Sequence, residues 1–152
     1  MEFYGEHDEQ QKVTRIVFLP GQGRLVTLTE DNYLHLWEIN GTSIKEIKAT
    51  NLEGRLKQVS VMCMDSANKR ILLGTEGGNI YYLNLWNFKI DESIIYQDLV
   101  MKNSPEDFKV NPGAVEALLL HPTEKDMMLL GYARGLIVIW DREEQKGNKV
   151  HT

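Results

Sequence analysis

The sequence predicts an all-β protein built from three consecutive repeats, each a four-stranded antiparallel sheet, and three observations carry that reading. First, three stretches of the 152-residue chain superpose: Thr14 to Asn40, Val59 to Leu85 and Val115 to Asp141. Second, each is cut into short apolar runs rich in Val, Ile, Leu, Tyr and Trp and separated by turn residues, which is strand chemistry. No stretch carries a 3.6-residue apolar stripe ten residues long. Third, the repeats end their third run at Trp37, Leu83 and Trp140, spacings of 46 and 57 residues. The first spacing is close to the roughly 40–45 residues of a propeller blade, and the second is such a blade with an insertion.

Taken in order, the first repeat runs from Ile16 to Leu19, turns on Pro20-Gly21, continues from Leu25 to Leu28, and turns again at Asp31-Asn32 before the run ending at Trp37. The second uses Val61 to Met64, Asp65-Ser66, Ile71 to Leu73 and Gly77-Gly78, ending at Leu83. The third uses Leu118 to Leu120, His121-Pro122, Met127 to Leu130 and Arg134-Gly135, ending at Trp140. The second turn of each repeat is read as a two-residue hairpin built on residues that tolerate positive φ. Candidate outermost strands are Ser43 to Lys48 and Ile94 to Val100. The expected units are residues 13–48, 56–100 and 114–152, with a loop insertion at 91–113. Residues 2–7 are expected to be the outer strand of a preceding blade. The last repeat is expected to lack its own, its polar tail Arg142 to Thr152 being solvated. Propellers close with typically four to eight blades, so three blades imply part of a larger ring with apolar lateral faces.

Composition narrows the class. Apolar residues make up 42% and charged residues 26%, enough for a packed core. Twenty-two acids against 17 bases give a net charge of -5, which argues against a nucleic-acid platform. A single cysteine, Cys63, excludes an intramolecular disulfide framework. The polar, acidic first residues do not read as a secretory leader, and no apolar run approaches membrane-spanning length. The expectation is a globular chain of the cytoplasm.

In a well-formed WD-type blade, a His before the first strand, a Ser or Thr in the second, an Asp in the tight turn and the Trp form a hydrogen-bonded chain. The first repeat offers His7, Thr29, Asp31 and Trp37; the other two keep only Thr75 and Trp140, so the repeats are degenerate. The stretch EFYGEHDEQQKVTRIVFLPGQGRLVTLTEDNYLHLWEI, with LLGTEGGNIYYL, SPEDFKVNPGAVEALL and MLLGYARGLIVIWD in order after it, resembles the lethal giant larvae family of WD-repeat polarity proteins. Tomosyn, the syntaxin-binding relative, shares the layout. The resemblance implies a long protein of two fused seven-bladed propellers serving as a scaffold of the cytoplasm, cell cortex and peripheral plasma membrane. Its implied partners are atypical protein kinase C with Par-6, non-muscle myosin II, and syntaxins in exocytosis. The family's basic, Ser-rich membrane-binding loop is not in this sequence, and no partner site maps onto these residues by motif.

Other chemistry reads as structure. Gly21-Gln22-Gly23 and Gly74 to Gly78 precede strands, whereas a phosphate loop needs a helix directly after it. His7, His35, His121 and His151 lack metal-ligand spacing, so no metal and no cofactor is expected. Cys63 falls in a run read as a buried inner strand, where a thiol is inert. Asp65, Glu76, Glu124 and Asp126 fall in turns and are expected to be solvated. The insertion holds Ser104, Glu106, Asp107 and Lys109, read either as plain surface loop or as a regulatory or partner site in which Ser104 could be phosphorylated. The expected function is therefore a non-enzymatic scaffold. A tomosyn-like regulator of vesicle fusion is the alternative, and an enzyme using a propeller channel is a remote one.

Overall fold

The computed structural model describes residues 11–65, 69–103 and 112–151. They form three four-stranded antiparallel sheets, each in sequence order. The first blade comprises β1 (Val13–Leu19), β2 (Arg24–Thr29), β3 (Tyr33–Asn40) and β4 (Ser43–Asn51). The second comprises β5 (Val59–Met64), β6 (Arg70–Thr75), β7 (Ile80–Asn84) and β8 (Lys89–Ile95). A helical turn, α1 (Gln97–Val100), and a 3-10 turn at Met101–Asn103 follow. The third comprises β9 (Val115–Leu120), β10 (Met127–Tyr132), β11 (Ile137–Asp141) and β12 (Lys146–His151). The blades fan out from their first strands: β5 packs against both β1 and β9. This is the geometry of consecutive propeller blades.

Three expectations change. The third blade has its own fourth strand: Asp141 pairs with Lys146 across a four-residue turn, and Ile139 with Lys149. An outermost strand pairs on one side only and has little core face, so a polar sequence does not exclude it. The second blade's outer strand is Lys89–Ile95 rather than Ile94 to Val100. Asn79 Oδ1 accepts the Gln97 N–H where the chain enters α1, and Val100 at the end of α1 and Met101 in the 3-10 turn are buried. The insertion therefore starts after β8, not at Asp91. Finally, the hairpins between second and third strands are three-residue loops. In the last two blades Thr75 N–H donates to Asn79 O and Tyr132 N–H to Leu136 O. Only the last loop residue is left-handed, at Asn32 (φ 63°), Gly78 (φ 90°) and Gly135 (φ 95°). Residues 2–7 lie outside the described part.

Two apolar layers bind the blades. Val26, Leu28, Leu34 and Leu36 of the first pack on Ile71, Leu73 and Leu83 of the second. Leu72, Ile80 and Tyr82 pack on Leu118, Met128, Leu130, Val138 and Trp140 of the third. Successive residues of β6 thus point into different layers, which is why its Ile-Leu-Leu run shows no polar alternation. Leu52 wedges the outer part of the first gap, and Val100 with Met101 the second. Gly74 sits against the third blade: a Cβ there would lie 2.7 Å from Cγ1 of Val115 and 2.7 Å from Cγ1 of Val61 in its own blade.

Candidate interaction surfaces

Of the four residues expected to form a polar chain in the first blade, Thr29, Asp31 and Trp37 lie among the described residues. Thr29 donates to Asp31 Oδ1 at 2.5 Å, and its oxygen lies 3.3 Å from His35 Nε2. His35 Nδ1 donates to Glu46 Oε1. The Trp37 indole N–H donates to Thr27 at 2.9 Å. The register explains the change of acceptor: Trp37 lies opposite Leu25, so Thr27 is one same-face step along β2 and Thr29 two. Thr29 and Asp31 thus sit at the β2–β3 turn, while Trp37 lies four residues along β3 from Tyr33 on the same face; Thr27 and His35 are partners the sequence reading missed. His7, Ser104, Glu106, Asp107 and Lys109 lie outside the described residues. The neighbouring Asn32 is 4% exposed; its amide donates to Leu56 O and Lys57 O and accepts from Val59 N–H, tying this turn to the strand that opens the second blade.

The opposite end of the sheets carries an ion cluster between the second and third blades. Asp65, expected to be solvated, is 6% exposed. Its carboxylate takes Arg142 Nη1 at 2.9 Å and Arg70 Nη2 at 3.4 Å. Arg70 also reaches Asp91 at 3.2 Å and lies over the Tyr82 ring, 4.2 Å from its centre. The hydrogen bond from Arg70 holds the Asp91 carboxyl below its usual pKa. Burial works against the Arg142 charge, but its interactions with Asp65 and Tyr82 together outweigh it and the guanidinium titrates above its usual range. Asp65, Arg70, Tyr82 and Arg142 line a cleft of about 880 Å³ together with Tyr96 and Trp140.

A second cavity, about 370 Å³ and almost wholly apolar, opens on the outer face of the third blade among Leu119, Met127, Leu129 and Ile139. Nearby Leu119 and Ile137 are 60% and 46% exposed. Cys63 is half-buried, and desolvation raises its thiol pKa. His121 Nδ1 accepts the Thr123 and Glu124 N–H groups and so serves its turn. Among the described residues no group of three or more His, Cys, Asp or Glu is placed to hold a metal ion. No helix is long and apolar enough to cross a membrane.

Fold and surfaces together define a propeller segment of the WD-repeat class, with its polar chemistry at blade ends and inter-blade clefts. The chain belongs to the lethal giant larvae family. It is 39% identical over 149 residues to the Lethal(2) giant larvae protein of Drosophila melanogaster, covering 94% of this chain and 13% of that protein. It is 37% identical over 154 residues to the human LLGL scribble cell polarity complex component 2 (93% of this chain, 15% of the relative). With the mouse Lethal(2) giant larvae protein homolog 1 it shares 34% over 168 residues, 99% of this chain and 16% of the relative. The chain thus spans 13–16% of the length of these curated relatives. No family model matches it.

Proposed function

We propose that this chain is part of a non-enzymatic polarity scaffold of the cytoplasm and cell cortex. The observation that carries the reading is its identity, over nearly all its length, to a fly giant larvae protein and to a human protein named as a component of a cell polarity complex. Rigid blades whose loops and clefts differ from one another suit a protein that presents several surfaces rather than one catalytic pocket. Its partners are atypical protein kinase C with Par-6, non-muscle myosin II and syntaxins, linking cortical polarity to exocytosis. The test is depletion of the full-length protein from a polarised epithelium, followed by tagged re-expression. Apical–basal mislocalisation on depletion, cortical position of the tagged protein, and co-purification of the kinase, myosin and syntaxin are expected. Intact polarity together with absence of all three partners overturns the proposal.

A further inference from the structure

Trp86 is 89% exposed, the most exposed of the large apolar side chains among the described residues. It sits in the four-residue turn between β7 and β8, and that turn is held firmly. Asn84 Oδ1 accepts the Trp86 N–H at 2.8 Å, and Asn87 Oδ1 accepts the Lys89 N–H at 3.0 Å. Leu85 N–H donates to Lys69 O at 3.0 Å, and Lys48 of the first blade donates to the Trp86 carbonyl at 3.2 Å. Phe88 closes the turn at φ 55° with its ring 3% exposed.

Folding does not ask for an indole here. The β11–β12 turn has the same length, is capped in the same way by Asp141 Oδ1, and ends on a left-handed Gln145. At the position equivalent to Trp86 it carries the exposed charge of Glu143. The surroundings of Trp86 are cationic although the chain as a whole is at -5: Lys48, Lys69 and Lys89 are all exposed around the turn. None of the three forms an ion pair among the described residues. A solvent-facing Trp on a firmly bonded turn, with exposed lysines at residues bonded to or adjoining that turn, has the composition of a binding hot spot, in which Trp supplies the anchor and charges set the partner.

We propose that the Trp86 turn is a docking anchor for an acidic peptide segment of a partner protein. An apolar side chain of the segment covers the indole, and its carboxylates meet Lys48, Lys69 and Lys89. A flat anionic membrane fits less well. It would meet a single indole, and the equivalent turn at the same end of the third blade would bring Glu143 and Glu144 against the lipid charge.

The experiment uses the full-length protein, its W86A variant and a K48E/K89E variant, each checked for unchanged hydrogen exchange in β7 and β8. Acrylamide quenching, read as the difference between wild type and W86F, first reports whether the indole is open in the intact protein. Random-peptide display is then run on the wild type, and selected peptides are titrated against all three proteins. Peptides rich in Asp and Glu around an apolar residue are expected, with affinity falling about tenfold or more in W86A and in K48E/K89E and weakening with salt. The proposal is overturned by a shielded Trp86, by no enrichment, or by peptides that bind W86A equally well. Binding to phosphatidylserine-containing vesicles that is lost in W86A, in place of peptide binding, also overturns it.

Discussion

Gly74→Ala tests the packing between the second and third blades directly. An added Cβ would lie 2.7 Å from Cγ1 of Val61, 2.7 Å from Cγ1 of Val115 and 2.9 Å from Cβ of Val115. All three distances are well short of ordinary contact, and two β-branched side chains on facing strands have few other rotamers to adopt. Gly74 is not in the left-handed region, so backbone strain plays no part and the cost is overpacking alone. Such insertions cost about 1–3 kcal/mol. At about 2 kcal/mol, amides of β6 and β9 that exchange through separation of the two blades should exchange roughly thirtyfold faster. Hydrogen exchange read by mass spectrometry on the full-length protein measures this locally, without assuming that a large protein unfolds in one step. Gly77→Ala is the control, because its one tight contact would be the flexible Lys57 side chain at 3.0 Å, with Thr75 Oγ1 at an ordinary 3.9 Å. Val115→Ala in the Gly74→Ala background should recover part of the loss, since one methyl contact goes and the Cβ contact stays. Unchanged exchange in Gly74→Ala, or equal effects at Gly74 and Gly77, would refute the argument that this glycine sets the inter-blade distance.

Other predictions concern the polar groups. Asp65→Ala leaves Arg142 without its carboxylate, while Arg70 keeps Asp91; a loss of about 2–3 kcal/mol is expected, seen as faster exchange at the Met64–Arg70 end of the second blade and in β11, with no change in the first blade. Thr27→Val keeps the shape but removes the acceptor of the Trp37 indole, and should cost about 1–2 kcal/mol in the protection of β2 and β3. The Cys63 thiol, raised above its usual 9.0 by burial, exposes less thiolate at any given pH than a free thiol does. Its alkylation rate should be slower than that of a small thiol at neutral pH and should still be climbing at about pH 10, where the small thiol levels off. A plateau at or below that pH contradicts the desolvation argument.

The inner strands and the positions of their turns were legible because they obey local rules. Apolar runs such as Leu25 to Leu28 and Ile71 to Leu73 are cut by residues that tolerate left-handed backbone, and each becomes a strand with the expected neighbours. What was missed depends on partners far away in sequence. Asp65 looks like any turn acid until Arg142, 77 residues later, is brought against it by the third blade. The outer strand β12 is polar because it has one bonded neighbour, so no apolar signal marks it. The choice of Thr27 over Thr29 rests on register, which places Leu25 rather than a threonine opposite Trp37. Both threonines share a face and differ by one period of the strand, a distinction that composition cannot make.

The two outer faces of the trio differ in a way that bears on recognition. On the first blade, residues on the face away from the second begin with Ile16 and Phe18 of β1, 58% and 65% exposed, opposite Thr27 and Leu25. Beyond that inner strand the same face turns polar, and its polar groups satisfy one another: Trp37 with Thr27, Thr29 with Asp31, His35 with Glu46. Water adds little to such a network, and a covering surface would gain little from burying it further. The third blade offers the reverse. Leu130 and Val138, at the positions equivalent to Thr27 and His35, are in the core, while Leu119, Leu129 and Ile137 on the other face are open beside an apolar cavity. Apolar area released from water is the dominant gain in association, so a surface brought against the third blade gains far more than one brought against the outer part of the first. The hydrogen-bond chain and the exposed apolar face thus lie on opposite faces of the blade, one closed on itself and one that needs a neighbour.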